Sequence, residues 1–280
     1  MANPPYAHSH PDFPNDTSKW EPLFTPFGNG AEECQREQCH LCRDLNPYHG
    51  HLNKVAFWAA KFASEMFAAD SAEAKSVKEW GYLAGLWHDL GKFAPEWQTY
   101  LKSKADIESD EVSGKEDHST SGAQHSDKLI PLFGRILAYP IAGHHAGLAN
   151  GIDDSLSSLQ NRLSKTIRST CSAPEEVLKF SNSLPPPIFA LASGHGLAFF
   201  IRMLFSSLVD ADFLATESFM SPGRGQYRPT NQHSIAKIEA ALISSLAKFD
   251  TPTTVVNRLR AEILTAVSYT HLTLPTILRV

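Results

Sequence analysis

Residues Trp80 to Leu90 form an apolar stretch with the spacing of a buried helix, and one face of that helix carries almost no side chain. At 100° per residue, Gly81, Ala84 and Gly85 lie beneath His88, so another helix can approach closely there. Only the backbone of a neighbouring helix fills so shallow a face, and that requirement points to tightly packed helices. The stretch runs into His88-Asp89-Leu90-Gly91-Lys92, with Gly91 as the expected C-cap. An aspartate in the last turn faces the negative end of the helix dipole and requires a compensating cation.

Helical periodicity extends over most of the chain. His51, Val55, Trp58, Phe62 and Met66 fall on one stripe, and the pattern predicts helices over 51–69, 75–90, 93–104, 119–131 and 134–145. Further helices fit 153–168, 193–218, 231–248 and 253–266, separated at Pro185-Pro186-Pro187 and Ser221-Pro222-Gly223. Residues 105–117 read as a charged loop. Alternating strands and internal repeats are absent from the pattern, so the expected fold class is all-α, a helical bundle. Residues 1–47, rich in Pro and Asn, read as an irregular segment ahead of a helical domain over 48–250. The Tyr-Thr-His-Leu-Thr-Leu-Pro-Thr run within 268–280 matches nothing before it. It is either a non-native tail resembling translated adapter sequence or an ordinary extended terminus.

Composition limits the function classes. A chain of 280 residues can bury a substantial core, and 42% hydrophobic with 20% charged residues suits a soluble globular protein. No apolar run approaches the ~20 residues that span a bilayer, and the N-terminus lacks a signal-peptide pattern, so no membrane partner and a cytoplasmic location are expected. A net charge of −5 argues against gripping nucleic acid by bulk electrostatics; a polymer substrate would need a local basic track or delivery by a partner. Of four cysteines, Cys34, Cys39 and Cys42 form a Cys-x4-Cys-x2-Cys cluster beside His40 and shortly before His49. In a reducing compartment such a cluster suggests structural zinc, with His40, His49 or a distant residue as fourth ligand; the alternative is a loop of reduced thiols.

The histidines gather at predicted helix ends: His51 opens one helix, His88-Asp89 closes the next, His118 precedes another, and His144-His145 stand before Gly147. Element ends are where side chains from different helices converge. Imidazoles with carboxylates suit Mn, Fe, Co, Ni or Zn better than Ca. Two such ions sharing a carboxylate activate water and clamp a phosphate for in-line displacement, and Lys92 could offset charge on that phosphate. The closing carboxylate is expected on the helix over 193–218. With Leu208 at the origin, Asp212 falls about 40° away, on the apolar stripe of Leu197, Ile201 and Leu204, whereas Asp210 falls at about 200°. A buried carboxylate is costly unless a cation explains it, so Asp212 is favoured over Asp210.

In order along the chain, His51-Leu52-x2-Val55, His88-Asp89-Leu90-Gly91-Lys92-x2-Pro95-x-Trp97-Gln98, Asp117-His118-Ser119-Thr120-Ser121-Gly122, Gly143-His144-His145-Ala146-Gly147 and Arg202-x-Leu204-Phe205-Ser206-x-Leu208-Val209-Asp210-Ala211-Asp212 form an extended motif set. The set resembles the HD-type nuclease domain of the CRISPR-associated nuclease–helicase of type I systems, nearest the type I-C-like branch. The resemblance implies an HD-domain helical bundle and a metal-dependent endonuclease that hydrolyses single-stranded DNA displaced by a crRNA-guided, Cascade-like surveillance complex in antiviral defence. It implies one or two divalent ions (Mn, Ni, Co, Fe or Mg). His51, His88, Asp89 and Asp212 would hold the first; His118, His144 and His145 the second, with Asp89 bridging. His88, Asp89 and Lys92 would be catalytic. The family's Trp-x-Pro-Leu segment corresponds to Trp20-Glu21-Pro22-Leu23, but here the cysteine cluster stands between it and His51, which leaves its role open. Asn257 to Leu264, within 251–267, resembles the start of the helicase that commonly follows. No Gly-x4-Gly-Lys-Ser/Thr loop occurs, so a chain truncated before the helicase is expected. Two alternatives remain: an HD-type phosphohydrolase acting on nucleotides or cyclic nucleotides, and a helical docking module with structural histidines.

Overall fold

Two helices approach closely where the small-residue face predicts it. In the computed structural model, which describes residues 5–25, 50–105, 117–167, 172–180, 184, 187, 194–221, 223–224, 235–247 and 254–267, helix α1 (His51–Ser64) lies along α2 (Ala72–Trp87). A Cβ on Gly85 would stand 2.5–2.6 Å from backbone atoms of Ala56 and Val55, and one on Gly81 would overlap Ala59. The glycines therefore set the approach of the two backbones. Ser71 starts α2 by accepting a hydrogen bond from Ala74 N at 3.0 Å.

The bundle continues with α3 (Pro95–Ala105), α4 (Ser119–Leu129), α5 (Gly134–Gly143), the short α6 (Leu159–Ser164) and α7 (Glu175–Leu178), and the long α8 (Gly194–Met220). Helix α8 packs on α1, α2 and α5, and α4 packs on α5. Leu204, Leu208, Ala211 and Ala215 of α8 join Leu52, Val55, Trp80, Trp87, Leu137 and Ile141 in one core, while Phe199 and Phe213 face outward. The fold is an all-α bundle: ten α-helices and one two-stranded ribbon among the described residues. None of these helices is long and apolar enough to cross a membrane. The chain divides into two compact units, 1–226 and 227–280; the second holds α9 (Ile235–Leu246) and α10 (Val255–Val267).

The structure corrects three sequence expectations. Helix α2 ends at Trp87, not Leu90; Leu90–Phe93 forms a separate 3-10 turn with Asp89 outside any helix, at φ −113° and ψ 24°. The helix expected over 153–168 shrinks to Leu159–Ser164, because Asp153 and Ser155 bond their own neighbours' backbone and Ser158 caps the short helix that follows. The third correction is at the N-terminus. Residues 5–25, expected to be irregular, contain an antiparallel ribbon of Tyr6–His8 (β1) and Glu21–Pro22 (β2). Gln98 of α3 clamps β1, accepting from Tyr6 N at 3.0 Å and donating to Tyr6 O at 2.9 Å. The ribbon also finishes α1: Gly50 offers no side-chain cap, and Leu52 N donates to Leu23 O at 2.9 Å instead.

Candidate metal centre

Each histidine is aimed by the element it terminates. His88, just past α2, donates from Nδ1 to Gly85 O at 2.7 Å, and His144, just past α5, donates from Nδ1 to Ile141 O at 2.7 Å. A neutral imidazole with its proton on Nδ1 presents a lone pair at Nε2, so both rings are set up as Nε2 ligands. His118 stands ahead of α4, whose first turn is capped by Asp117 through Thr120 N at 3.2 Å. Gly91 brings that turn to the end of α2. Its N–H donates to His118 O at 3.0 Å, and a Cβ would collide with the His118 backbone. Gly91 is thus a point of close approach, not the C-cap expected from the sequence.

Asp89 lies at the centre, and its two oxygens face different partners. Oδ2 is 3.3 Å from His88 Nε2 and 3.7 Å from His51 Nε2; Oδ1 is 3.4 Å from both His118 Nε2 and His144 Nε2. Asp212 Oδ1 completes the first group, 3.2 Å from His51 Nε2 and 3.7 Å from His88 Nε2. His145 completes the second, its Nε2 2.8 Å from His118 Nε2. The ligand atoms of His51, His88 and Asp212 lie within 4.8 Å of one another, as do those of Asp89, His118, His144 and His145. Asp210, two residues from Asp212, is exposed.

The buried atoms fit metal ions. His51 Nε2, His88 Nε2, His144 Nε2 and Asp89 Oδ1 are all buried and lack hydrogen-bond partners. Lone pairs of His88 and His144 point at a carboxylate, so acceptor faces acceptor. Only a proton or a cation between them removes the repulsion, and an unsatisfied buried polar group otherwise costs ~1–3 kcal/mol. Burial lowers the pKa of His51 to about 4, and burial with neighbouring His144 lowers that of His145 to about 3, which keeps both neutral and able to serve as ligands. At His88 burial acts the same way, but the charge of Asp89 prevails and raises its pKa. Burial opposes ionisation of Asp89 and Asp212. Even so, His88, Lys92 and His118 hold Asp89 far below the usual carboxylate range, and His51 and His88 do the same for Asp212.

Lys92 takes a different place from the one its sequence position suggests. Its ammonium is buried, 2.7 Å from Asp89 Oδ2 and over the Trp97 ring, so it neutralises Asp89 and does not stand free for an incoming phosphate. The cation required by the aspartate is supplied within the chain. Sequence reasoning missed Glu21 and His8. Glu21 is buried on β2, bound by Lys54 Nζ at 2.8 Å and His8 Nδ1 at 2.7 Å, with His51 Nδ1 3.6 Å away. A carboxylate inside the apolar Trp20-x-Pro22-Leu23 segment was the available signal. Cys34, Cys39 and Cys42, with His40 and His49, lie outside the described residues, as does the tail 268–280.

Compared with models of known protein families and with curated proteins, the sequence gives no significant match.

Proposed function

We propose that this protein is a metal-dependent phosphodiesterase of the HD type, holding one or two divalent transition-metal ions and cutting single-stranded DNA. The observation that carries the reading is Asp89, a buried carboxylate whose two oxygens face two separate groups of imidazoles, with Nε2 of His51, His88 and His144 buried and unsatisfied. His51, His88 and Asp212 with Asp89 Oδ2 would hold one ion, and His118, His144 and His145 with Asp89 Oδ1 the other. Bound there, such ions supply an activated water and polarise a phosphate oxygen. The chain's own part is to fix the donors. Backbone carbonyls at Gly85 and Ile141 lock the tautomers of His88 and His144, and Lys92 holds the Asp89 carboxylate ionised. His145 is exposed while its partners are buried, which places the open side of the centre at the second cluster.

The choice of single-stranded DNA rests on the ordered motifs from His51 to Asp212 and their resemblance to the nuclease domain of the CRISPR nuclease–helicases. At a net charge of −5 the chain would hold a strand weakly, so a helicase and a crRNA-guided complex would deliver it. The same acidity favours, as second reading, a phosphohydrolase acting on nucleotides or cyclic nucleotides, whose substrates need no basic track. The test is a time course with Mn on labelled single strand, blunt duplex and a cyclic-nucleotide panel, with and without ATP. Mn-dependent, ATP-independent cutting of single strand alone is expected. Turnover of nucleotides without strand cleavage selects the second reading, and a chain that binds no divalent ion refutes both.

A further inference from the structure

His51 differs from His88 and His144 in how its ring is held. His88 and His144 each donate from Nδ1 to a carbonyl one turn back in their own helix. His51 is the first residue of α1, so no earlier turn exists to offer such a carbonyl, and its buried Nδ1 lacks a hydrogen-bond partner. Glu21 Oε2 faces it from the neighbouring ribbon, 3.6 Å away. We propose that Glu21 is the positioning residue of the first metal cluster: from 3.6 Å its carboxylate electrostatically favours the proton of His51 on Nδ1 and thereby leaves the Nε2 lone pair of His51 to Asp212, Asp89 and His88. The inference rests on the metal-centre reading above and deepens it.

The surroundings of Glu21 suit this role better than that of a ligand. One oxygen is engaged by the Lys54 ammonium at 2.8 Å, which repels a further cation; the other accepts from His8 at 2.7 Å. His8, Glu21 and His51 are close enough to hold an ion of their own. Yet His51 could serve two ions only by losing both ring protons, which a neutral imidazole resists. A carboxylate behind a metal-bound imidazole instead raises its basicity and fixes its rotation, and loss of such a partner typically weakens metal binding ~10–100-fold. The ribbon therefore has a reason to pack on the first turn of α1 beyond capping it.

The test compares wild type with Glu21→Gln and with Glu21→Gln/Lys54→Met, the double variant removing both buried charges so that no ammonium is stranded. Mn affinity is read by chelator competition, and the His51 Nδ1–H resonance is followed by nitrogen-15 NMR in Zn-loaded protein. Expected is a roughly 10–100-fold weaker first Mn in the folded double variant, with the second Mn retained and the His51 Nδ1–H signal shifted or lost to exchange while those of His88 and His144 persist. An unchanged first-Mn affinity with an unchanged His51 signal overturns the inference and leaves the metal-centre reading standing. An additional ion in wild type that disappears in His8→Phe also overturns it, by making Glu21 a ligand. Wild type that binds no divalent ion removes both readings together.

Discussion

Replacing Asp89 by Asn separates its metal-binding role from its structural one. In the metal-free protein the carboxylate is the counter-ion of Lys92, at 2.7 Å, and both side chains are almost wholly buried. Asparagine keeps the shape and removes the charge, which leaves a buried ammonium without its partner. Breaking a buried pair from one side costs about 3–5 kcal/mol, a large share of the ~5–15 kcal/mol that holds a domain together. For a unit of this size that is a loss of roughly 10 °C in Tm. The expected relief from removing an unsatisfied carboxylate oxygen is ~1–3 kcal/mol and does not reverse the sign. Asp89→Asn/Lys92→Met should recover most of the stability, because no charge remains buried, while binding neither ion tightly. The assay is urea and thermal denaturation in EDTA for wild type, both single variants and the double variant. A metal-free Asp89→Asn as stable as wild type, or a double variant no better than the single, refutes the reasoning: Lys92 would then not be the cation that keeps Asp89 ionised.

Asp212→Asn should lower metal occupancy strongly and Asp210→Asn hardly at all, since only Asp212 faces His51 and His88; elemental analysis of the two proteins decides, and the reverse order would overturn the helix phase. Binding an ion requires a neutral His88, and because Asp89 raises its pKa above the ordinary 6.5, Mn affinity should begin to fall on the alkaline side of 6.5 as pH drops. His51, held at about 4 by burial, adds no loss until far lower pH; a calorimetric affinity that is flat across neutral pH contradicts this ordering. Gly85→Ala should cost about 2 kcal/mol or more in urea denaturation despite alanine's better helix propensity, because the new Cβ meets the backbone of Ala56 and not a movable side chain; a stabilised variant would show that α1 and α2 are free to separate.

Helices, and the residue types able to hold a metal, were legible in the sequence because both are local properties. The 3.6-residue stripes of α1 and α8, the shallow Gly81-Ala84-Gly85 face of α2 and the phase separating Asp212 from Asp210 each depend on neighbours within a few turns. The end of α2 was not legible. Leu90 continues the apolar pattern, but the chain leaves the helix at Trp87 and Gly91 docks against the His118 backbone, a contact between segments distant in sequence. Partner choice was equally hidden: Lys92 reads as a free cation until tertiary packing closes it onto Asp89. Glu21 and His8 reach His51 from a ribbon far away in sequence, across residues 26–49, and no periodicity encodes that contact. The division of Asp89 into one oxygen for each cluster also belongs to tertiary structure. It needs four helix ends to meet within a few ångströms, and that convergence is a property of packed helices, not of any one of them.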